Sequence, residues 1–194
     1  MDLKIVLLGS AFVGKTSVAN RYCNGQFQEE TLSTIGAGFF THSLKINNIE
    51  VTMMLWDTAG EERFRSVAPS LLRGANGLIL VFDLTSKGSF EEIDIYMDMF
   101  LDVCKVDMKQ NAPVLLLGNK ADLPKVEISD DAIERWKSKN NVELYYPVSA
   151  KTGQNIEVAI EELVKQIIIP KNKPEEPPIQ ISLTVEDGNK KQCC

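Results

Sequence analysis

One stretch constrains this chain more than any other: Gly9-Ser10-Ala11-Phe12-Val13-Gly14-Lys15-Thr16. It follows an unbroken apolar run over residues 3–9 and precedes a helix expected over residues 15–23. An apolar run without alternation is what a strand buried on both faces requires. The stretch fits G-x-x-x-x-G-K-T in strand–loop–helix context, the signature of a loop that cradles phosphates. Its backbone N–H groups and the helix N-terminus can converge on anionic oxygens. Gly9 and Gly14 let the chain turn tightly without a Cβ clash. Lys15 supplies positive charge for the β- and γ-phosphates, and Thr16 a hydroxyl for Mg2+, a hard ion that prefers oxygen. Ala11, Phe12, Val13, Gly14 and Ser17 complete the expected phosphate contacts. A chance glycine turn is the bland alternative, and the flanking strand and helix argue against it.

The remaining chain alternates strand and helix. Further strands are expected over residues 39–46, 49–56, 77–84, 113–118 and 143–148. Asn47-Asn48 separates the first two of these as a tight hairpin turn. Ile93, Met97, Phe100 and Cys104 recur at helical spacing within residues 90–104, and Ile156, Ile160, Leu163, Val164 and Ile167 mark a final helix. The pattern predicts an α/β fold of the P-loop NTPase class. Its sheet is six-stranded and mostly parallel, with one antiparallel hairpin strand and helices on both faces. Ligands in such sheets bind at the carboxyl ends of the strands. Residues 1–169 are expected to form one nucleotide-binding domain, and residues 170–194 a disordered tail, because prolines and charges replace the apolar period there.

A formal charge of −6 over 194 residues excludes a general nucleic-acid binder, whose phosphate-tracking surface needs clustered Lys and Arg. No apolar run approaches the roughly 20 residues of a membrane span, and the run at residues 3–8 lacks a signal peptide's length and cleavage region. Cys23 and Cys104 stand alone and are expected as reduced, half-buried thiols. His42 and Met53-Met54 are expected to pack on strands.

The base is chosen elsewhere. In Asn119-Lys120-Ala121-Asp122, the Asp122 carboxylate can accept from both N1–H and the exocyclic amine of guanine. Adenine lacks that donor pair and would leave the carboxylate unpaired. A backbone N–H of Ser149-Ala150-Lys151 can donate to guanine O6. Either tetrapeptide-sized loop alone is a weak signal, often just a polar turn. Two of them, each at a strand end, are a strong one. Asp57 in Asp57-Thr58-Ala59-Gly60 can hold Mg2+ through water, with a turn or N-cap aspartate as the alternative. Gly60 leaves its N–H free to approach a γ-phosphate.

These motifs, together with Thr34, have the order and spacing of Ras-like GTPases over essentially the whole of residues 4–169. Trp56 to Gly60 with Glu62-Arg63-Phe64, Leu72-Arg73-Gly74-Ala75, and the segment Ser33 to Phe39 resemble the Rab branch. Ile35 to Phe39 and Ser66 to Pro69 are similar to its early-endosomal members, although Gly38 stands where most Rabs carry an acid. The resemblance implies that Thr34 joins Thr16 and Asp57 on Mg2+ and senses the γ-phosphate, and that Phe27 lies against guanine. Catalytic roles fall on Lys15, Thr34, Gly60 and position 61. Residues 30–39 and 60–72 become switch segments ordered by GTP, and Phe39 and Trp56 an aromatic surface read by effectors. Without the resemblance, Trp56 reads as a core residue. The implied partners are GTP and GDP, effectors, an exchange factor, a GTPase-activating protein and factors that deliver prenyl groups or hold the GDP form. The implied location of the monomeric chain is the cytoplasmic face of endomembranes, the early endosome in the finer reading, with a cytosolic GDP-bound pool.

The chain departs from the family in several places. Glu61 replaces the glutamine that both accepts from the attacking water and donates to the transferring phosphoryl group. A carboxylate, with a reference pKa of about 4.3, accepts but does not donate. Slow intrinsic hydrolysis follows as an expectation. Phe12 is bulky where the family has a small residue, and either packs near the first switch or points to solvent. Leu71-Leu72 replaces a Tyr-Tyr pair and removes one ring of the aromatic surface. Cys193-Cys194 resembles a double geranylgeranyl site, since one lipid anchors marginally and two stably. Two rival readings are a GTP-locked effector-binding module with negligible turnover, kept open by Glu61, and a small-molecule kinase, opposed by Asn119–Asp122. Within the tail, residues 179–185 alternate like a strand, either as an extended linker or as a docking segment.

Overall fold

Side chains on the central strands alternate between two separate cores. On β1 (Asp2–Leu8), Leu3, Ile5 and Leu7 enter one core while Val6 and Leu8 enter the other. β4 (Gly77–Asp83) and β5 (Val114–Asn119) divide in the same way, so each is buried throughout, as the unbroken apolar runs require. The computed structural model describes residues 1–29, 34, 36–60, 68–104 and 113–169. Residues 30–33 and 35 of the first expected switch, Glu61 to Val67 of the second, and the tail with Cys193 and Cys194 lie outside the described residues.

With β2 (Ala37–Ile46), β3 (Ile49–Thr58) and β6 (Leu144–Pro147), the strands form one six-stranded sheet in the order β2-β3-β1-β4-β5-β6. The β2–β3 pair is antiparallel and the others are parallel, as expected. Asn47 and Asn48 take φ of 48° and 66°, the left-handed pair that a tight two-residue hairpin turn demands. They place Ile46 opposite Ile49 and carry the register to Ala37 opposite Thr58.

Helices α1 (Lys15–Asn24) and α6 (Ile156–Ile168) bury Val18, Ala19, Ile156, Ile160, Leu163 and Val164 in the first core. On the other face, α4 (Ile93–Cys104) contributes Ile93, Met97 and Phe100, and α5 (Asp130–Asn140) contributes Ile133 and Trp136. Short α2 (Ala68–Leu72) and α3 (Lys87–Glu91) flank β4. The single helix expected over residues 90–104 is therefore corrected. A turn at Glu92 separates α3 from α4, and the Glu92 carboxylate accepts from Ser10 Oγ at 2.8 Å. Helix α5 was not expected, although Ser129 caps it by accepting from Ala132 N–H and Asp130 and Asp131 occupy its first turn.

Other expectations meet the packing directly. Leu72 is fully buried, so it does not contribute to a surface read by partners. Phe12 is 75% exposed. His42 packs its ring against Tyr22 at 4.6 Å, and Met53 is fully buried. Cys23 and Cys104 are half-buried free thiols, and burial pushes the Cys23 thiol up to about 11. Among the described residues no helix is long and apolar enough to cross a membrane.

Candidate nucleotide site

The carboxyl ends of β1, β3, β5 and β6 meet at one pole of the sheet. The loops leaving them, with the segment after α1, enclose a cavity of about 530 Å3. Its walls include Ala11, Phe12, Gly14, Lys15, Thr16 and Ser17 from the first loop, then Phe27, Thr34 and Gly60, then Asn119, Lys120, Asp122, Ala150 and Lys151. Gln28, Glu29 and Leu123 also line it and were not expected.

Three expected contacts stand behind the wall. Val13 is 1% exposed and packs in the core, where its carbonyl accepts from Asn119 Nδ2 at 2.8 Å. Ser149 is fully buried and its hydroxyl donates to Asp122 Oδ1 at 2.6 Å, orienting that carboxylate. Asp57 is 1% exposed and reaches the cavity through Thr16, whose hydroxyl donates to Asp57 Oδ2 at 2.5 Å.

The loop after β1 is built for close approach. Gly14 has φ of 94°, and a Cβ there would strike Asn119 Nδ2. Lys15 Nζ donates to the carbonyls of Gly9 and Ser10, each at 2.8 Å. Burial lowers the Lys15 pKa to about 8, with the Asp57 charge opposing the drop. A Cβ on Gly60 would overlap Lys15 Nζ and Ala11 N, so only glycine lets this main chain lie against the phosphate loop.

Thr34 Oγ1 lies 2.8 Å from Thr16 Oγ1, so two hydroxyls and one carboxylate converge. Burial raises the Asp57 pKa, while the Thr16 hydrogen bond, the Lys15 charge and the Thr34 hydrogen bond oppose it. Asp57 Oδ1 is buried without a hydrogen-bond partner among the described residues. An orphaned carboxylate oxygen costs free energy unless something pairs with it. The donor set is entirely oxygen, which suits a hard divalent cation.

At the other end, Asn119 spends its amide inside the protein. Nδ2 donates to Val13 O, and Oδ1 accepts from Ala150 N–H at 3.1 Å. It thus ties the loops after β1, β5 and β6 together. Lys120 Nζ pairs with Asp83 Oδ2 at 2.6 Å, and Asp83 Oδ1 accepts from Thr85 N–H and Oγ1. Asp83 was missed in the sequence. Its position at the carboxyl end of an apolar strand was the available signal.

A family model described as "Ras: Ras family" matches residues 4–169. The Ras-related protein Rab7 of Drosophila melanogaster is 40% identical over 167 residues, covering 86% of this chain and 80% of that protein. The chain belongs to the Rab small GTPases of the Ras family. The Ras-related protein Rab7 of Cenchrus ciliaris is 37% identical, covering 99% of this chain and 96% of that protein. The Ras-related protein Rab-9B of Pongo abelii is 32% identical, with 99% and 96% covered. As a Rab GTPase the chain hydrolyses GTP and serves membrane traffic. None of these names supports the early-endosomal resemblance.

The aromatic surface expected in a Rab is partly present. Phe39 is 52% exposed and meets Trp56 edge to face at 5.0 Å. Trp56 is half-buried against the α4 side, with Lys4 Nζ 5.3 Å from its ring centroid. Its indole N–H is buried without a partner among the described residues.

Proposed function

We propose that the cavity binds GTP and GDP with Mg2+ and that the chain recruits effectors in its GTP form while anchored to endomembranes. One observation carries the reading: the buried Asp57 Oδ1, without a partner among the described residues, sits beside the Thr16 and Thr34 hydroxyls, behind the wall of one cavity lined by Thr16, Thr34, Lys15 and Asp122. Thr16, Thr34 and Asp57 would hold Mg2+, which when bound neutralises charge on the phosphate oxygens. The main-chain N–H groups from Ala11 to Ser17 and the Lys15 ammonium bind phosphate. Asp122, aimed by Ser149, accepts from the guanine N1–H and amine, and a backbone N–H of the 149–151 loop donates to O6. Residues 1–169 act as the nucleotide-binding domain, and residues 170–194 as a tether to prenyl groups on Cys193 and Cys194.

Glu61 accepts from a water but does not donate to a phosphoryl oxygen, so intrinsic hydrolysis is slow. Restoring that one hydrogen bond by Glu61→Gln is expected to raise the single-turnover rate about tenfold. Equal rates in the two proteins would overturn this. The rival reading, a GTP-locked module, is disfavoured by membership of a family that hydrolyses GTP, and it would require bound GTP to survive intact in the wild-type single-turnover assay. For the site itself, GTP and GDP should displace a fluorescent guanine nucleotide and ATP should not. Displacement by ATP at similar concentration would sink the guanine reading. Replacing both terminal cysteines by Ser is expected to move the chain from membrane to cytosolic fractions.

A further inference from the structure

One residue of the phosphate loop is held from outside the loop. Ser10 fills a position that the motif leaves open, and its Oγ donates to Glu92 Oε2 at 2.8 Å, across 82 positions of sequence. Glu92 lies at the turn before α4, where its N–H donates to Gly88 O and its carbonyl accepts from Ile95 N–H, each at 3.1 Å. Ile93, Tyr96 and Met97, the next inward residues of α4, are buried in the second core. The carboxylate is thus presented from a fixed platform. The Ser10 carbonyl in turn accepts from Lys15 Nζ at 2.8 Å. A Cβ on Gly60 would overlap the Ser10 carbonyl carbon, Ala11 N and Lys15 Nζ, so the peptide from Ser10 to Ala11 is packed tightly between the two loops.

We propose that Glu92 is a positioning residue for the phosphate loop: by holding the Ser10 hydroxyl it fixes the Ser10–Ala11 peptide, whose carbonyl aims the Lys15 ammonium at a bound phosphate. The proposal rests on the nucleotide reading above. A peptide turns as one plane, so a rotation at Ser10 moves the carbonyl on Lys15 and the Ala11 N–H together. Lysine carries its charge on a flexible stem, and the acceptors it meets decide where the charge sits. Here the acceptors are two main-chain carbonyls, those of Gly9 and Ser10. Through space a carboxylate repels phosphate, so the charge of Glu92 by itself works against an anion site. Its contribution is the hydrogen bond, which belongs to the stronger, charge-assisted class.

The test uses the full chain with GDP and GMP. GMP lacks the β-phosphate that Lys15 meets, so the preference for GDP over GMP reads how well the ammonium is aimed. Affinities are measured by competition with a fluorescent guanine nucleotide, with thermal unfolding recorded for each variant. In Glu92→Ala the preference is expected to fall about fivefold, within the worth of one hydrogen bond, while GMP affinity stays within about twofold. Ser10→Ala, the milder change, should give the same loss, and the double variant no more than either alone, because both remove one interaction. Glu92→Gln keeps an acceptor oxygen without the charge and should hold the preference within about twofold of wild type. If Glu92→Ala weakens GMP and GDP by one common factor, Glu92 only supports the fold and the proposal fails. An unchanged or larger preference in that variant would also overturn it. Losses that multiply in the double variant would break the link between Ser10 and Glu92, and a Glu92→Gln protein as impaired as Glu92→Ala would overturn the hydrogen bond. A wild-type protein that binds GMP as tightly as GDP would instead overturn the phosphate reading beneath the proposal.

Discussion

The two ends of the cavity are built on opposite plans. At the base end the polar groups are paired with each other: Asn119 with Val13 and Ala150, Asp122 with Ser149, Lys120 with Asp83, and Arg21 with the carbonyls of Ala150 and Lys151. At the phosphate end the charges are buried and incompletely paired. The Lys15 pKa is lowered to about 8 by desolvation, and Asp57 keeps one oxygen without a partner among the described residues. A paired network is rigid before any ligand arrives and costs nothing further to organise. Buried charges without full pairing are costly, and a ligand of complementary charge relieves that cost. The base end should therefore govern which nucleotide binds, and the phosphate end how binding depends on cation and phosphate number.

The strongest challenge to this contrast is Asp122→Asn. It removes a charged acceptor of two base hydrogen bonds, and GDP affinity should fall about a thousandfold in a displacement titration. A loss below about tenfold would mean the base end does not set specificity. At the other end, Asp57→Asn should speed nucleotide release about tenfold at millimolar Mg2+ and make the rate insensitive to EDTA. Chelation that still accelerates the variant would place the cation elsewhere.

Gly60→Ala sharpens the contrast within the phosphate end. Its Cβ would meet Lys15 Nζ and Ala11 N. GTP affinity should fall by about tenfold with GDP affinity nearly kept, if the Gly60 N–H approaches the γ-phosphate that GDP lacks. Equal losses for the two nucleotides would count against a γ-phosphate role for Gly60. Ser149→Ala removes one hydrogen bond from Asp122 and should speed GDP release about fivefold, leaving the EDTA response unchanged.

The smallest effect concerns Phe12. It holds φ of 63° while its side chain is exposed, so it bears backbone strain without packing gain. Phe12→Gly should raise the unfolding temperature of the nucleotide-bound protein by about 2 °C, the larger unfolded-state entropy of glycine offsetting part of the relief. A lower unfolding temperature would show that the ring makes a contact on binding.

Much of the framework was legible in residue order. Unbroken apolar runs read as doubly buried strands because their side chains alternate between two cores. Asn47-Asn48 read as a hairpin because asparagine tolerates left-handed φ. The four motif loops read as neighbours because parallel strands bring their carboxyl ends to one pole. Helix α5 carried a Ser129 cap and an acidic first turn, and its missing feature was a dense apolar stripe, since Ile133 and Trp136 supply most of its core face.

What the sequence could not settle depends on contacts between distant positions. Leu72 looked available beside Leu71 and proved to be core, because burial is decided by the helices packed above it. Asn119, part of the base-choosing motif, lines the cavity and is also bonded at both ends of its amide within the protein. Arg21 and Asp83 lay outside every motif and brace the loops of the base end. The sequence by itself determined the phosphate loop, the strand order's raw material and the guanine-matching chemistry, since these depend on local turns and residue type. Tertiary structure alone decided which side chains hold those loops in place. The Arg21 hydrogen bonds to Ala150 and Lys151 join residues 129 and 130 positions apart, and no local pattern encodes such a pairing.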